Sequence, residues 1–269
     1  MDPLLLQVLG QKSENEHATG YQADAVGDNK ATAVSGLIHK YSSRVLLLPN
    51  PSCAIHCRYC FRKEFDYTSN TIAPNSWKNW WDYIYHNPKV NEIILSGGDP
   101  LLMNDSLMEK LLESVSFLPQ IKYLRIHTRV PTTLPTRINE RFLGIFKKPF
   151  PFKIIFVTHI NHPNELTHSD SEVIYQLKSI GEVFNQAVLL KNINDDAQVQ
   201  INLARKLMDY GITPYYIHQL DKVTGTHHFH VPVNRGKSIY KTMRTELSGY
   251  MLPRFVREIP EERSKTPII

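Results

Sequence analysis

Short apolar runs recur along the second half of the first hundred residues and beyond, each stopping at polar or glycine-rich positions. They are Val45–Leu48, Ile93–Leu95, Tyr123–Ile126, Ile154–Val157, Ala187–Leu190 and Tyr215–Ile217. Runs this short, bounded by polar residues, fit buried strands better than helices. The stretches between them are roughly 25 to 50 residues long and hold helix-like segments at Asn75–His86, Ser106–Phe117, Ser169–Ile180 and Ala197–Tyr210. Parallel neighbours need a crossover of about a dozen residues or more, so strand, long crossover, strand predicts βαβ units. Six such units predict an α/β fold, a partial (β/α)6 TIM-like barrel, over residues 36–269. Residues 1–35 are polar and weakly periodic, an N-terminal extension with one short helix at Pro3–Leu9 and no fold to be forced on it.

In parallel α/β folds the chemistry collects at the carboxyl ends of the strands. The residues just past each run are correspondingly polar: Cys53–Cys60, Ser96–Asp99, His127–Arg129, Thr158–His162, Asn192–Asp195 and His218–Asp221. The three cysteines of the 269-residue chain all fall in the first group, within eight positions. An odd number so closely spaced is no disulfide framework; it predicts a metal or redox site in a reducing, cytoplasmic setting.

Composition narrows the classes. With 42% hydrophobic and 21% charged residues the chain reads as an ordinary globular protein, not as a disordered or collagen-like one. No apolar run is long enough to cross a bilayer, and the first ten residues carry no signal-peptide pattern. Lys and Arg exceed Asp and Glu by 31 − 26 = 5, which suits an anionic ligand, but no run of five basic residues calls for nucleic acid. Trp77, Trp80 and Trp81 share one predicted helix, where packing explains them better than base stacking, and His227–His230 is a weak candidate for zinc.

Cys53, Cys57 and Cys60 have the spacing C-x3-C-x2-C. Three thiolates on one loop suit three irons of a cubane [4Fe–4S] cluster, with the fourth iron open to a small molecule. Zinc is the competing reading, for which His56 or a distant histidine would have to complete the ligand set.

This spacing, with an aromatic before the last cysteine, resembles the radical S-adenosylmethionine (SAM) enzymes, and Ser96-Gly97-Gly98-Asp99-Pro100 is similar to the glycine-rich motif with which they bind SAM. More narrowly, Gly36-Leu-Ile-His-Lys-Tyr, Cys57-Arg-Tyr-Cys-Phe-Arg, Thr158-His-Ile-Asn-His-Pro-Asn-Glu, Val188-Leu-Leu-Lys-Asn-Ile-Asn-Asp and Pro214-Tyr-Tyr-Ile-His-Gln-Leu-Asp resemble the lysine 2,3-aminomutases. The ending, Ser248-Gly-Tyr-Met-Leu-Pro, Arg257-Glu-Ile and Ser264-Lys-Thr-Pro, is most similar to the short bacterial branch that makes (R)-β-lysine for elongation factor P.

The resemblance, covering about residues 36 to 267, implies a [4Fe–4S] cluster on Cys53, Cys57 and Cys60, SAM, and pyridoxal 5′-phosphate (PLP). It implies SAM contacts from Ser96, Gly97, Gly98, Asp99, His159 and Gln186, and places Lys265 as the PLP lysine with Lys40, Tyr41 and Arg44 near its phosphate. It places Arg62 on the substrate carboxylate, and Asp221 and Glu258 on the distal ammonium. Glu258 stands where the fermentative enzymes have aspartate, Lys40 where they have arginine, and His218 where they have tyrosine. It further implies L-lysine as substrate, an electron donor such as flavodoxin or ferredoxin, a link to elongation factor P and its lysyl-transferring ligase, and no membrane or direct nucleic-acid partner. The family also implies an additional N-terminal segment before Asp2, and the long C-terminal extension of the fermentative enzymes has no counterpart after Lys265. Two other readings stay open: a PLP-independent radical SAM enzyme acting on another small molecule, and a basic metal-binding module associated with RNA or the ribosome.

Overall fold

A computed structural model describes residues 2–70 and 74–269. Its centre is six parallel strands: β3 (Arg44–Asn50), β4 (Glu92–Gly97), β5 (Tyr123–Thr128), β6 (Lys153–His159), β7 (Glu182–Leu189) and β8 (Thr213–Gln219). Each pairs in parallel with the next in sequence, the signature of a curved βα sheet. All six expected strands are therefore present. The sheet extends at both edges. A hairpin of β1 (Thr32–Val34) and β2 (Leu37–Tyr41) lies antiparallel along β3, while β9 (Arg254–Arg257) adds parallel to β8 and carries the antiparallel β10 (Thr266–Pro267). No long apolar run marks these four, because they are short and none holds more than two consecutive apolar residues.

The helices in chain order are α1 (Pro3–Leu6), α2 (Tyr67–Asn70), α3 (Lys78–Tyr85), α4 (Asp105–Ser116), α5 (Val130–Thr133), α6 (Glu140–Phe146), α7 (His168–Lys178), α8 (Ala197–Asp209) and α9 (Val233–Glu246). The four expected crossovers appear as α3, α4, α7 and α8. Asn104 and Asp196 set two of the starts, their side chains accepting from Ser106 N–H and from Gln198 and Val199 N–H. Met108, Leu111, Leu112 and Val115 of α4 are buried on the sheet, and Trp77 and Trp80 stack at 5.9 Å in the same core.

Alternation along the strands places the site. On β7, Val183, Asn185, Ala187 and Leu189 are buried beneath helices while Gln186 and Val188 face inward; on β5, Leu124 and Ile126 alternate with Arg125 and His127. A closed barrel fills its interior with branched apolar side chains. Here the inner face mixes charged and polar side chains with apolar ones and encloses an open cavity of about 170 Å³.

The N-terminal segment crosses the carboxyl-end rim of the sheet. Asp2 caps α1, Gln7 is fully buried against the loops that follow β3, β5 and β6, Gln22 bridges to Val223 after β8, and Asp28 is 2% exposed.

Candidate active site

Two turns at the ends of β3 and β4 are built into each other. Gly98 N–H donates to Asn50 O at 2.9 Å and Asp99 N–H to Ser52 O at 2.7 Å, while the Asn50 amide donates to Asp99 O at 2.8 Å. A Cβ on Gly98 would lie 2.3 Å from Ser52 O, and one on Gly97, whose φ is +111°, 2.8 Å from Asn50 O. The glycines thus let the cysteine loop dock, a task the sequence reading did not give them. Ser96 Oγ accepts from Arg62 Nη1 at 3.0 Å. The Asp99 carboxylate is used locally: it accepts from Thr128 Oγ1 and from the N–H groups of Leu101, Arg129 and Val130.

Cys53 is exposed, and Cys57 and Cys60 are half-buried. Although Cys53 is exposed as a residue, its thiol is partly desolvated, and that, Asp99 and the two neighbouring thiols push it up to about 12; burial and Cys57 push Cys60 up to about 11. Arg129 donates to Cys57 Sγ at 2.9 Å and also to Gln7 Oε1 and Glu165 Oε2, both at 2.7 Å. Tyr59 OH joins this network, bonding Gln7, Asn161 and His159 Nε2. Burial, reinforced by Arg129, lowers His159 to about 4, so the ring is neutral.

Gln186 lies 3.5 Å from His127 Nδ1, and His127 Nε2 is buried with no partner among the described residues. Both line the cavity, as do His159 and His218. Burial keeps His127 and His218 well below the usual histidine range.

The remaining expected site residues form one ionic chain on the cavity wall. Lys265 Nζ donates to Glu258 Oε2 at 2.7 Å, and Tyr41 OH donates to Glu258 Oε1 at 2.7 Å. Lys40 Nζ lies 3.9 Å from Glu258 Oε1 and 2.5 Å from Asp28 Oδ1, and Arg62 Nε donates to Asp28 Oδ2 at 2.5 Å. Arg44 stacks over Tyr41 at 4.2 Å. Asp221 also faces the cavity, and burial pushes its carboxyl up to about 7. Burial acts on Glu258 in the same sense, but the Lys265 ammonium and the Tyr41 hydroxyl hold it below the usual range. The structure thus brings Lys40, Tyr41, Arg44, Arg62, His159, Gln186, Asp221, Glu258 and Lys265 around one cavity. Sequence reasoning missed Asp28, Arg125 and any role for His127. The strand alternation of Tyr123–Thr128 could have signalled the latter two; nothing local signals Asp28.

Comparison with known proteins identifies the family. Residues 47–218 match the family model described as the radical SAM superfamily. L-lysine 2,3-aminomutase of Escherichia coli (strain K12) is 41% identical over 268 residues, covering 99% of this chain and 78% of that protein. The Haemophilus influenzae protein of the same name is 40% identical over 266 residues, covering 98% and 78%, and that of Clostridium subterminale is 35% identical over 270 residues, covering 100% and 64%. A radical SAM methyltransferase from Sphaerobacter thermophilus shares the fold, with a TM-score of 0.55 at 13% identity over 82% of this chain and 68% of that one. A parallel partial barrel with three cysteines at the mouth of its first strand is the architecture of radical SAM enzymes. Within that class, the chain belongs to the L-lysine 2,3-aminomutase family, whose members are isomerases that use a [4Fe–4S] cluster, SAM and PLP.

The residues fit those groups. Among the described residues, no three His, Cys, Asp or Glu side chains converge as ligands for a single metal ion. A cubane takes each thiolate on a different iron, which three thiols on one loop suit. The orphaned His127 Nε2 leaves a polar position open to a bound group. A lysine with a lysine, a tyrosine and an arginine on one cavity wall suits an aldehyde that carries a phosphate.

Proposed function

We propose that this protein is a PLP-dependent radical SAM aminomutase that converts L-lysine to (R)-β-lysine. The observation that carries this is the shared wall: one cavity holds a cation for a carboxylate, two carboxylates for an ammonium, and a lysine amine beside them. When bound, the cluster and SAM supply a carbon radical that removes hydrogen, and PLP supplies the carbonyl that makes nitrogen migration accessible.

The protein's own residues orient and shield. Arg62, buried and fixed on two sides, presents a planar guanidinium for the substrate carboxylate. Glu258 already holds a primary ammonium, that of Lys265; the same contact serves the distal ammonium of lysine once Lys265 is engaged by PLP. Asp221 completes the ammonium site, and two acids there favour a cationic substrate over glutamate. Lys40, Tyr41 and Arg44 take the phosphate. Ser96, Gly97, Gly98 and Asp99 form the SAM-side turn, with His159 and Gln186 opposite, and Cys53, Cys57 and Cys60 hold the cluster. The product's destination is elongation factor P, through a lysyl-transferring ligase, with a flavodoxin or ferredoxin as electron donor. The resemblance of the closing segment from Ser248 to Pro267 to the elongation factor P branch supports that placement. A cytoplasmic location accords with that role, and no helix among the described residues is long and apolar enough to cross a membrane.

Anaerobic incubation of reconstituted protein with SAM, dithionite, PLP and L-lysine, followed by chiral analysis, tests the reaction. (R)-β-lysine is the expected product, and none at full iron and PLP occupancy rejects lysine as substrate. Borohydride treatment of PLP-loaded protein should fix a pyridoxyl group on the Lys265 peptide. A label elsewhere, or an equal label in Lys265→Ala, rejects the PLP assignment.

A further inference from the structure

Asp28 lies in the segment to which the sequence gives no role, yet it is among the most enclosed charges of the cavity wall, at 2% exposure. One of its oxygens, Oδ2, accepts from Arg62 Nε at 2.5 Å; the other, Oδ1, is 2.5 Å from Lys40 Nζ. These two cations are the ones proposed above for two different anions, the substrate carboxylate and the cofactor phosphate. A single buried carboxylate therefore ties the two anion sites together.

The backbone decides whether Asp28 is a movable placeholder or a fixed support. Its N–H donates to Asp24 Oδ1 at 2.8 Å, its carbonyl accepts from Thr32 Oγ1 at 2.9 Å, and Gly27 before it turns at φ +71° against Pro260. Its backbone is held on both sides of the Cα, and each carboxylate oxygen is in an ion pair that ties the side chain to its place. On Arg62 it takes the Nε edge while Ser96 takes Nη1; no partner of Nη2 occurs among the described residues, and the Arg62 side chain lines the cavity. A planar guanidinium gripped at two of its three nitrogens has one orientation left.

We propose that Asp28 is a positioning residue for substrate recognition: it fixes the Arg62 guanidinium with its Nη2 edge toward the cavity, so that the α-carboxylate is read at a set distance from the PLP end. The inference rests on Arg62 as the carboxylate site, and its test is built to separate the two.

The measurement is equilibrium binding by calorimetry to the full chain, reconstituted with cluster and PLP but given no reductant, so that turnover is not needed. L-lysine is compared with 1,5-diaminopentane, which has both amines and no carboxylate. Wild type should prefer lysine. Asp28→Asn should weaken lysine by about tenfold, the scale of a lost charge-assisted contact, and leave the diamine unchanged. Ser96→Ala, which loosens the other anchor without removing charge, should give a smaller loss of the same selective kind and serves if Asp28→Asn folds poorly. Equal weakening of both ligands would reduce Asp28 to a structural ion pair, and tighter lysine binding would make it a competitor; either overturns the proposal. A wild type without preference for lysine rejects the Arg62 assignment itself, and the inference with it.

Discussion

At the scale of single residues, two carboxyls in one cavity behave oppositely because their neighbours differ. Glu258 has an ammonium and a phenol on its two oxygens and stays ionised, whereas Asp221 has burial without a direct partner among the described residues and rises to about 7. An ammonium pairs only with the ionised form, so lysine affinity should fall about tenfold per pH unit below pH 7, with proton release on binding. Calorimetry in buffers of different ionisation enthalpy checks this, and Asp221→Asn should abolish the slope. The same shift acts on stability. The folded state binds a proton that the unfolded state, at 3.8, has lost, so this group's contribution declines as pH rises from about 4 through about 7. Asp221→Asn should accordingly raise Tm of the ligand-free protein at pH 8 and change it little at pH 4.

Among the elements, the turn after β4 and the loop after β3 form one unit, joined by backbone bonds that only glycine permits at this distance. Gly98→Ala forces a Cβ to 2.3 Å from Ser52 O, so the loop must move. We expect reconstituted Gly98→Ala to hold less than half the wild-type iron and sulfide while its far-ultraviolet circular dichroism is retained. Wild-type iron content would show the docking to be dispensable. Arg129 after β5 is the second support, carrying Cys57, Gln7 and Glu165. Arg129→Met leaves Glu165 buried without its cation and should cost about 3–5 kcal/mol in denaturant unfolding. The six parallel strands were legible because each holds a short, mostly apolar run, broken only by Arg125 in β5, whereas β7 starts five residues ahead of its run, at Glu182, where Asn185 and Gln186 interrupt the hydropathy. Helices α6 and α9 were not among the expected segments. On α9 the buried face is Gly236, Ile239, Tyr240 and Met243, set in a mostly polar sequence.

For the whole molecule, the N-terminal segment closes the rim that the strands leave open. Gln7 is fully buried and bonds Glu165, Arg129, Asn161 and Tyr59. Replacing it by alanine should cost about 1–3 kcal/mol and lower Tm by about 5 °C; an unchanged Tm would mean that the segment is not part of the cooperative unit. The sequence by itself determined what is local: apolar runs of strand length, the crossovers between them, polar chemistry just past each run, and three thiols on one loop. It also placed Lys265, Arg62, Asp221 and Glu258 as candidates through family resemblance. Only the tertiary structure decided which charges meet. Tyr41 and Glu258 are 217 positions apart and Arg62 and Asp28 are 34 apart, and no periodicity carries such pairings. They arise because β2, the N-terminal segment, the loop after β3 and the segment after β9 converge on one cavity. A buried charge, once there, must find an opposite one whatever its distance along the chain.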